Sequence, residues 1–348
     1  MRVLVTGHRG YIGSVLAPFL AAAGHDVVGL DTELFRGCDF RAEAASVPGR
    51  VADIRDVTVA DLAGFDAIVH YAALSNDPLG DLDATLTERI NRDGTLRLAR
   101  AARDAGVRRF VFASSCAMYG ASGTDDALDE QAPLRPLTPY AESKVRAEAG
   151  LAALAGPDFA PVSMRNATVF GISPRLRIDI VLNNLAAWAH TTGRIRLLSD
   201  GVAWRPMVHV RDVAKAALTL LDAPEDQIRG EAFNVGTDEQ NYLVRGLAEA
   251  VSSVTGCEIE IAEGSSADQR SYRVSFSKLA RAFPDLTFDW DAERGARELI
   301  DAYRAVDLRW EDFDSERYVR IRRLRSLLDE GELDADLRWL APVAAVAG

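Results

Sequence analysis

A short apolar run, Val3-Leu4-Val5, ends in Thr6 and opens at once on Gly7-x-x-Gly10-x-x-Gly13. The stretch that follows, Ile12 to Ala23, is apolar and alanine-rich and is stopped by Gly24, as a helix would be. Few features constrain a chain more. Glycines between a strand and a helix allow a tight turn, and they bring backbone amides and a helix N-terminus up to an anion. The strand shows no polar alternation, so it belongs in a sheet covered on both faces.

The alternation then repeats. Strands are expected at 26–31, 67–72, 110–113, 162–165 and 233–235, and helices at 86–105 and 140–154. Asp212 is expected to cap a further helix over 213–221. Strands alternating with helices mean βαβ units on a parallel sheet, with the ligand site at the carboxyl ends of the strands. The expected fold class is α/β: a Rossmann-type doubly wound parallel sheet with a smaller, mostly C-terminal α/β substrate domain. Residues 1–170, with 205–240 returning to them, are assigned to the first domain. Residues 171–204 and 241–348 are assigned to the second, where the pattern turns helical and irregular. The tail over 317–339 reads as an amphipathic surface helix on its own domain, with Leu324, Leu327 and Leu328 on one face.

Bulk properties narrow the function classes. A chain of 348 residues can bury a sizeable core. A formal charge of -12 argues against a nucleic-acid partner. No apolar window reaches bilayer length, so no membrane partner is expected, and the N-terminus lacks a signal-peptide shape. The three cysteines are odd in number and far apart, which gives neither a disulfide framework nor a metal site and fits a reducing cytoplasm.

The second predicted strand ends at Asp31. A carboxylate there accepts ribose hydroxyls and repels a 2′-phosphate, so the expected cofactor is NAD, with Arg36 as the one nearby counter-signal. Gly7, Gly10, Tyr11, Ile12 and Gly13 would hold its pyrophosphate. Asp53-Ile54 follows another short strand-like run and could receive the adenine amino group.

Tyr140 and Lys144 lie four positions apart on one expected helix, so their side chains share a face. A nearby ammonium stabilises a phenolate, which makes a tyrosine usable as a base near neutral pH. Lysine occurs only at Lys144, Lys215 and Lys278, so nearly all of the 40 basic residues are arginine and a Tyr-x-x-x-Lys match is more telling than usual. Ser115 ends a strand, where its hydroxyl could bridge a substrate oxygen and Tyr140. His209 and His70 read as structural, and Arg175 and Arg177 could face a phosphate or solvent.

These residues fall into a larger pattern. Thr6-Gly7-x-x-Gly10-x-x-Gly13, His70-Tyr71-Ala72-Ala73, Asn91-x-x-Gly94-Thr95, Ser114-Ser115-x-x-x-Tyr119-Gly120, Tyr140-x-x-x-Lys144, Arg205-Pro206-Met207-Val208-His209 and Asn234-Val235-Gly236 follow one another in order. The chain thereby resembles extended short-chain dehydrogenases/reductases of the nucleotide-sugar epimerase/dehydratase group. The resemblance implies that Ser115, Tyr140 and Lys144 are catalytic. It places Tyr71, Ala72, Ala73, Asn91 and Ser114 with Tyr140 and Lys144 around NAD. It assigns Ser75, Ser115, Cys116, Thr168, Asn184, Arg205 and Arg270 to the sugar nucleotide, with Arg273 as the alternative to Arg270. It also implies a homodimer paired through helices such as 86–105 and 140–154.

Departures narrow the reaction. Dehydratases of the group carry Asp-Glu after the catalytic Ser/Thr, whereas this chain has Cys116-Ala117. Loss of water is therefore not expected, and Cys116 is either a proton carrier or an inert buried residue. The expected function is NAD-dependent epimerisation of a nucleotide-diphosphate sugar through a transient keto intermediate. A 4-ketoreductase and a non-catalytic dinucleotide sensor are the alternatives.

Overall fold

The computed structural model describes residues 1–40, 47–75, 83–121, 126–262, 270–313 and 315–341. Its main sheet is built from β1 (Arg2–Thr6), β2 (Asp26–Asp31), β3 (Gly49–Val51), β4 (Ala67–His70), β5 (Arg109–Ser115), β7 (Ala160–Asn166) and β11 (Ala232–Val235). The strands lie in the order β11-β7-β5-β4-β1-β2-β3, and every neighbouring pair is parallel. Val3, Leu4 and Val5 are fully buried, as the absence of polar alternation requires. The strand order reverses between β1 and β4, which opens a crevice beyond their carboxyl ends. The glycine loop leaves β1 there, Tyr71–Ala73 leaves β4, and Ser115 ends β5 nearby. The architecture is the expected Rossmann-type sheet.

A second set of elements builds a smaller lobe. β8 (Thr168–Phe170) and β12 (Asn241–Leu243) flank β10 (Trp204–His209), and β9 (Arg194–Leu197) pairs with β13 (Glu258–Ile261). Helices Val181–Thr192, Val244–Thr255 and Ala292–Ala305 pack around Phe170, Leu182, Leu247, Leu299 and Tyr303. One segment of this half returns to the main sheet. β14 (Arg273–Val274) pairs with β6 (Ala127–Leu128), and Tyr272, Val274 and Phe276 join the core under β7 and β11.

Three expectations need correction. The helix expected over 86–105 runs from Ala84 to Asp104, but its middle, Arg89–Gly94, is a π turn. That wider turn carries Asn91 into the interior. The helix assigned to an Asp212 cap begins earlier and spans Val210–Asp222, because β10 runs straight into it. His209 is the cap, accepting from the Arg211 amide at 3.2 Å. Asp212 instead accepts from the amides of Asp289 and Trp290, each at 3.2 Å. The tail is helical only over Arg320–Asp329, and its leucines do not pack on their own lobe. Leu324, Leu327, Leu333 and Leu337 cover Leu34, Leu74 and Leu86, an apolar patch on the loops that leave β2 and β4 and on the helical turn Ala84–Glu88. Burial of that patch decides where the tail goes.

Candidate active site

A cavity of about 1150 Å³ runs along the carboxyl ends of the strands and into the smaller lobe. Gly7, Gly10, Tyr11, Ile12, Gly13, Asp31, Asp53 and Ile54 line one end. Tyr71, Ala72, Ala73, Ser114, Ser115, Tyr140 and Lys144 line the middle, and Ser75, Thr168, Asn184, Arg205 and Arg270 line it toward the second lobe. Of the residues assigned to catalysis, NAD or the sugar nucleotide, Asn91, Cys116 and the alternative Arg273 stand outside the wall.

The glycine cradle is sterically exacting. Gly7 has φ +72°, and a Cβ on it would lie 2.7 Å from the Ala72 amide nitrogen. A Cβ on Gly13 would overlap the Gly7 carbonyl. No side chain fits either place, so the helix N-terminus stays open to an anion. The Asp31 carboxylate is fixed by the amides of Arg9 at 3.0 Å and Glu33 at 2.9 Å. Arg55 clamps Asp53 with bonds of 2.6–3.0 Å. Burial works to raise the Asp53 carboxyl, but hydrogen bonds and charge from Arg55 outweigh it and hold the group below its usual range.

The central group is built on helix Pro139–Leu154. Thr138 caps it by accepting from the Ala141 amide at 3.2 Å, and Pro139 occupies the first turn. Lys144 is 3 % exposed, and its Nζ donates to the Ala113 carbonyl of β5 at 2.8 Å. Nζ stands 5.8 Å from the Tyr140 ring centre. Burial pulls the Lys144 pKa down to about 7, so the ammonium exchanges its proton near neutrality. Ser115 accepts from the Ala117 amide at 3.1 Å. Ser114 donates to Glu148 at 2.9 Å, so its hydroxyl is committed to the scaffold.

Asn91 was expected against the cofactor and lies one layer behind. Its Oδ1 accepts from the Leu74 amide at 2.8 Å, and its Nδ2 donates to the Leu74 carbonyl and to Ser143 Oγ at 3.0 and 3.1 Å. It therefore ties the loop after β4 to the helix that carries Tyr140 and Lys144. His70 bonds Thr6 at 2.6 Å and Thr95 at 2.8 Å. Burial, helped by the charge of Lys144, lowers its pKa to about 3 and keeps it neutral. His209 stacks on Trp290 at 3.9 Å and bonds Glu298 at 2.9 Å, a packing role.

Cys116 is corrected as a substrate contact. A 3₁₀ turn after Ser115 carries it beneath β7, where it is 1 % exposed and its sulfur donates to the Arg165 carbonyl at 3.0 Å. Burial pushes its thiol well above the ordinary range, while Ala117 takes the place in the wall. Cys116→Ala is expected to cost about 1–2 kcal/mol of stability and leave turnover within about twofold, checked by thermal melts and steady-state rates. A hundredfold loss of turnover would restore Cys116 as a proton carrier.

The paired arginines divide. Arg175 is held by Asp39 at 3.1 Å and by the Phe35 carbonyl. Arg177 lines the cavity, paired with Asp179 at 2.7 Å and 3.4 Å from Ser75 Oγ. Arg270 also lines the cavity, whereas Arg273 lies over the Trp204 ring at 4.9 Å. Sequence reasoning missed two supporting networks. Asn183 accepts from the Gly171 amide at 3.0 Å and bonds the Tyr11 hydroxyl at 3.3 Å, coupling the glycine loop to the second lobe. Arg165 joins Glu148 at 3.0 Å to Tyr119 at 3.0 Å, and Tyr119 continues to Asn234 at 2.7 Å. The His70-Tyr71, Tyr119-Gly120 and Asn234-Val235-Gly236 fragments carried a signal for this scaffold, but nothing in them states who bonds whom.

Known proteins agree with this geometry. The model of the NAD dependent epimerase/dehydratase family matches residues 3–236. The chain is 28% identical over 335 residues to a UDP-glucose 4-epimerase of Bacillus subtilis, covering 87% of this chain and 96% of that one. It is 32% identical over 265 residues to a UDP-glucose 4-epimerase of Mycolicibacterium smegmatis, covering 74% and 83%. Among solved structures, MoeE5 in complex with UDP-glucuronic acid and NAD superposes with a TM-score of 0.75 at 27% identity, covering 88% of this chain and 99% of that one. With the motif set, the parallel sheet and the cavity in register, the chain belongs to the NAD-dependent epimerase/dehydratase family.

Proposed function

We propose that the protein is an NAD-dependent epimerase of a nucleotide-diphosphate sugar. The observation that carries this reading is the shared cavity: the glycine cradle with Asp31 at one end, and Tyr140, Lys144 and Ser115 in the middle. The cradle fits a dinucleotide because Gly7 and Gly13 admit no side chain and Asp31 stands where a ribose would lie. Bound NAD supplies an acceptor that takes hydrogen from a sugar carbon and later gives it back. Tyr140 removes the hydroxyl proton while Ser115 holds that oxygen, and the protonated form of Lys144 stabilises the phenolate. The keto-sugar turns in the pocket so that the carbon would regain its hydrogen on the opposite face, and Tyr140 returns the proton to the carbonyl oxygen. Arg205, Arg270 and Asn184 supply donors for the diphosphate, with Ser75 and Thr168 toward the sugar.

The wall also supports epimerisation over dehydration. Ala117 offers no acid beside Ser115, and Cys116 is sealed away. Among the described lining residues, the carboxylates are Asp31 and Asp53 at the dinucleotide end and Asp179, which Arg177 holds. The same reading makes the protein a cytoplasmic homodimer, supported by the family resemblance and by cysteines that are all free. No helix among the described residues is long and apolar enough to cross a membrane.

The test is an assay of NDP-hexoses and NDP-hexuronates with catalytic NAD, following sugar isomers and absorbance at the NADH band together. Isomer formation without net NADH is the expected result. Stoichiometric consumption of NADH or NADPH by a keto-sugar would overturn it in favour of a reductase.

A further inference from the structure

The carboxy-terminal segment reaches the cavity that the first half of the chain builds. After helix Arg320–Asp329, residues 330–340 fold back across the loops that follow β2 and β4. Trp339 Nε1 donates to the Thr32 carbonyl at 2.7 Å, one residue past Asp31. Arg338 pairs with Asp56 at 3.0 Å, and Asp336 takes two bonds from Arg89 at 2.6 and 3.1 Å. Leu333 and Trp339 bridge one another, and Asp334 accepts from the Asp336 and Arg338 amides at 2.9 Å each, which closes a tight loop. The loop holds Leu337 at φ +55°, a left-handed conformation that branched-chain residues avoid. What the strained backbone achieves is placement: Leu337 is 2 % exposed to solvent and forms part of the cavity wall.

Arg320 enters the same wall from the start of the helix. It is 2 % exposed, stacks over the Phe35 ring at 4.3 Å, and donates through Nη2 to the Arg175 carbonyl at 2.9 Å. Its Nη1 is buried and has no partner among the described residues. Arg175 and Arg177 lie close enough to oppose its charge, and Asp179 and Cys38 act the other way. A buried guanidinium with an idle donor beside other arginines is costly unless an anion completes it.

We propose that residues 320–340 are a strap that completes the dinucleotide site: Arg320 gives a cation to the pyrophosphate, and Leu337 covers the adenosine half. This rests on the reading that the cavity binds NAD. The strap holds to the first lobe by its buried leucines, whereas its ion pairs to Asp56 and Arg89 are half-exposed and weak. NAD is therefore retained through many turnovers and leaves only when the strap lifts.

The experiment measures NAD release. Wild type, Arg320→Met and the Leu337→Ala/Trp339→Ala double variant are loaded with NAD, and its dissociation is followed by rapid desalting. Both variants are expected to release NAD about tenfold faster or more. Binding couples both ways, so NAD must also slow amide hydrogen exchange over 331–341 in the wild type. That second measurement decides the matter if a variant fails to fold. Wild-type release rates in both folded variants, or exchange over 331–341 indifferent to NAD, would overturn the strap and leave the proposed function standing. A wild type that binds no NAD would remove the proposed function itself.

Discussion

Tyr140→Phe is expected to cut turnover by about 10²–10⁴-fold, the range of a single well-placed acid–base group, while NAD binding changes little. The argument is geometric. Tyr140 lines the same cavity as Ser115 and Lys144, and its helix is fixed at both ends of the relevant turn. Thr138 caps it, and Asn91 pins Ser143 to the loop after β4. Removing one hydroxyl leaves this frame intact, since the ring still fills its place. The glycine cradle and Asp31, which would hold most of the dinucleotide, are contributed by other elements. Titration with NAD and single-turnover rates separate the two effects. A variant that keeps full turnover places the base elsewhere, and one that loses NAD as well makes Tyr140 a binding residue.

The sequence made the sheet and the centre of this site legible for a physical reason. Buried parallel strands leave apolar runs, a tight βα turn leaves glycines, and a tyrosine and a lysine on one helical face leave Tyr-x-x-x-Lys. Each is a local pattern, readable within a few residues. The features that escaped are relations between distant residues. Asn91 works behind the wall because a π turn, invisible to a 3.6-residue period, rotates it inward. Cys116 follows a serine in the cavity, yet a 3₁₀ turn sends it under β7. The tail showed its leucine face plainly. What the face would cover depended on Leu34, Leu74 and Leu86, three residues from three separate loops and helices. Arg320 and Leu337 join the cavity only through that long-range choice.

Lys144 should carry a stability cost that its removal reveals. Burial lowers the Lys144 pKa from 10.5 to about 7 in the folded protein. Between those two values the unfolded chain binds more protons than the folded one, so stability rises with pH across that window. Below pH 7 both states are protonated, and the full penalty of burying the ammonium is present. A shift of that size corresponds to roughly 5 kcal/mol, at about 1.4 kcal/mol per pKa unit. Lys144→Met keeps the length of the side chain and removes the charge, but it also loses the bond to the Ala113 carbonyl, worth about 1 kcal/mol. The NAD-free variant is therefore expected to be about 2–4 kcal/mol more stable than wild type at pH 7. The gain should shrink toward zero by about pH 10 and reverse beyond it, where only the lost hydrogen bond remains. Turnover should fall with it, since the phenol loses its cation. Denaturant melts at pH 6, 7, 8, 9 and 10 trace the curve. A variant that is less stable than wild type throughout would show that Lys144 sits in its pocket without strain, its ammonium solvated by the backbone of β5.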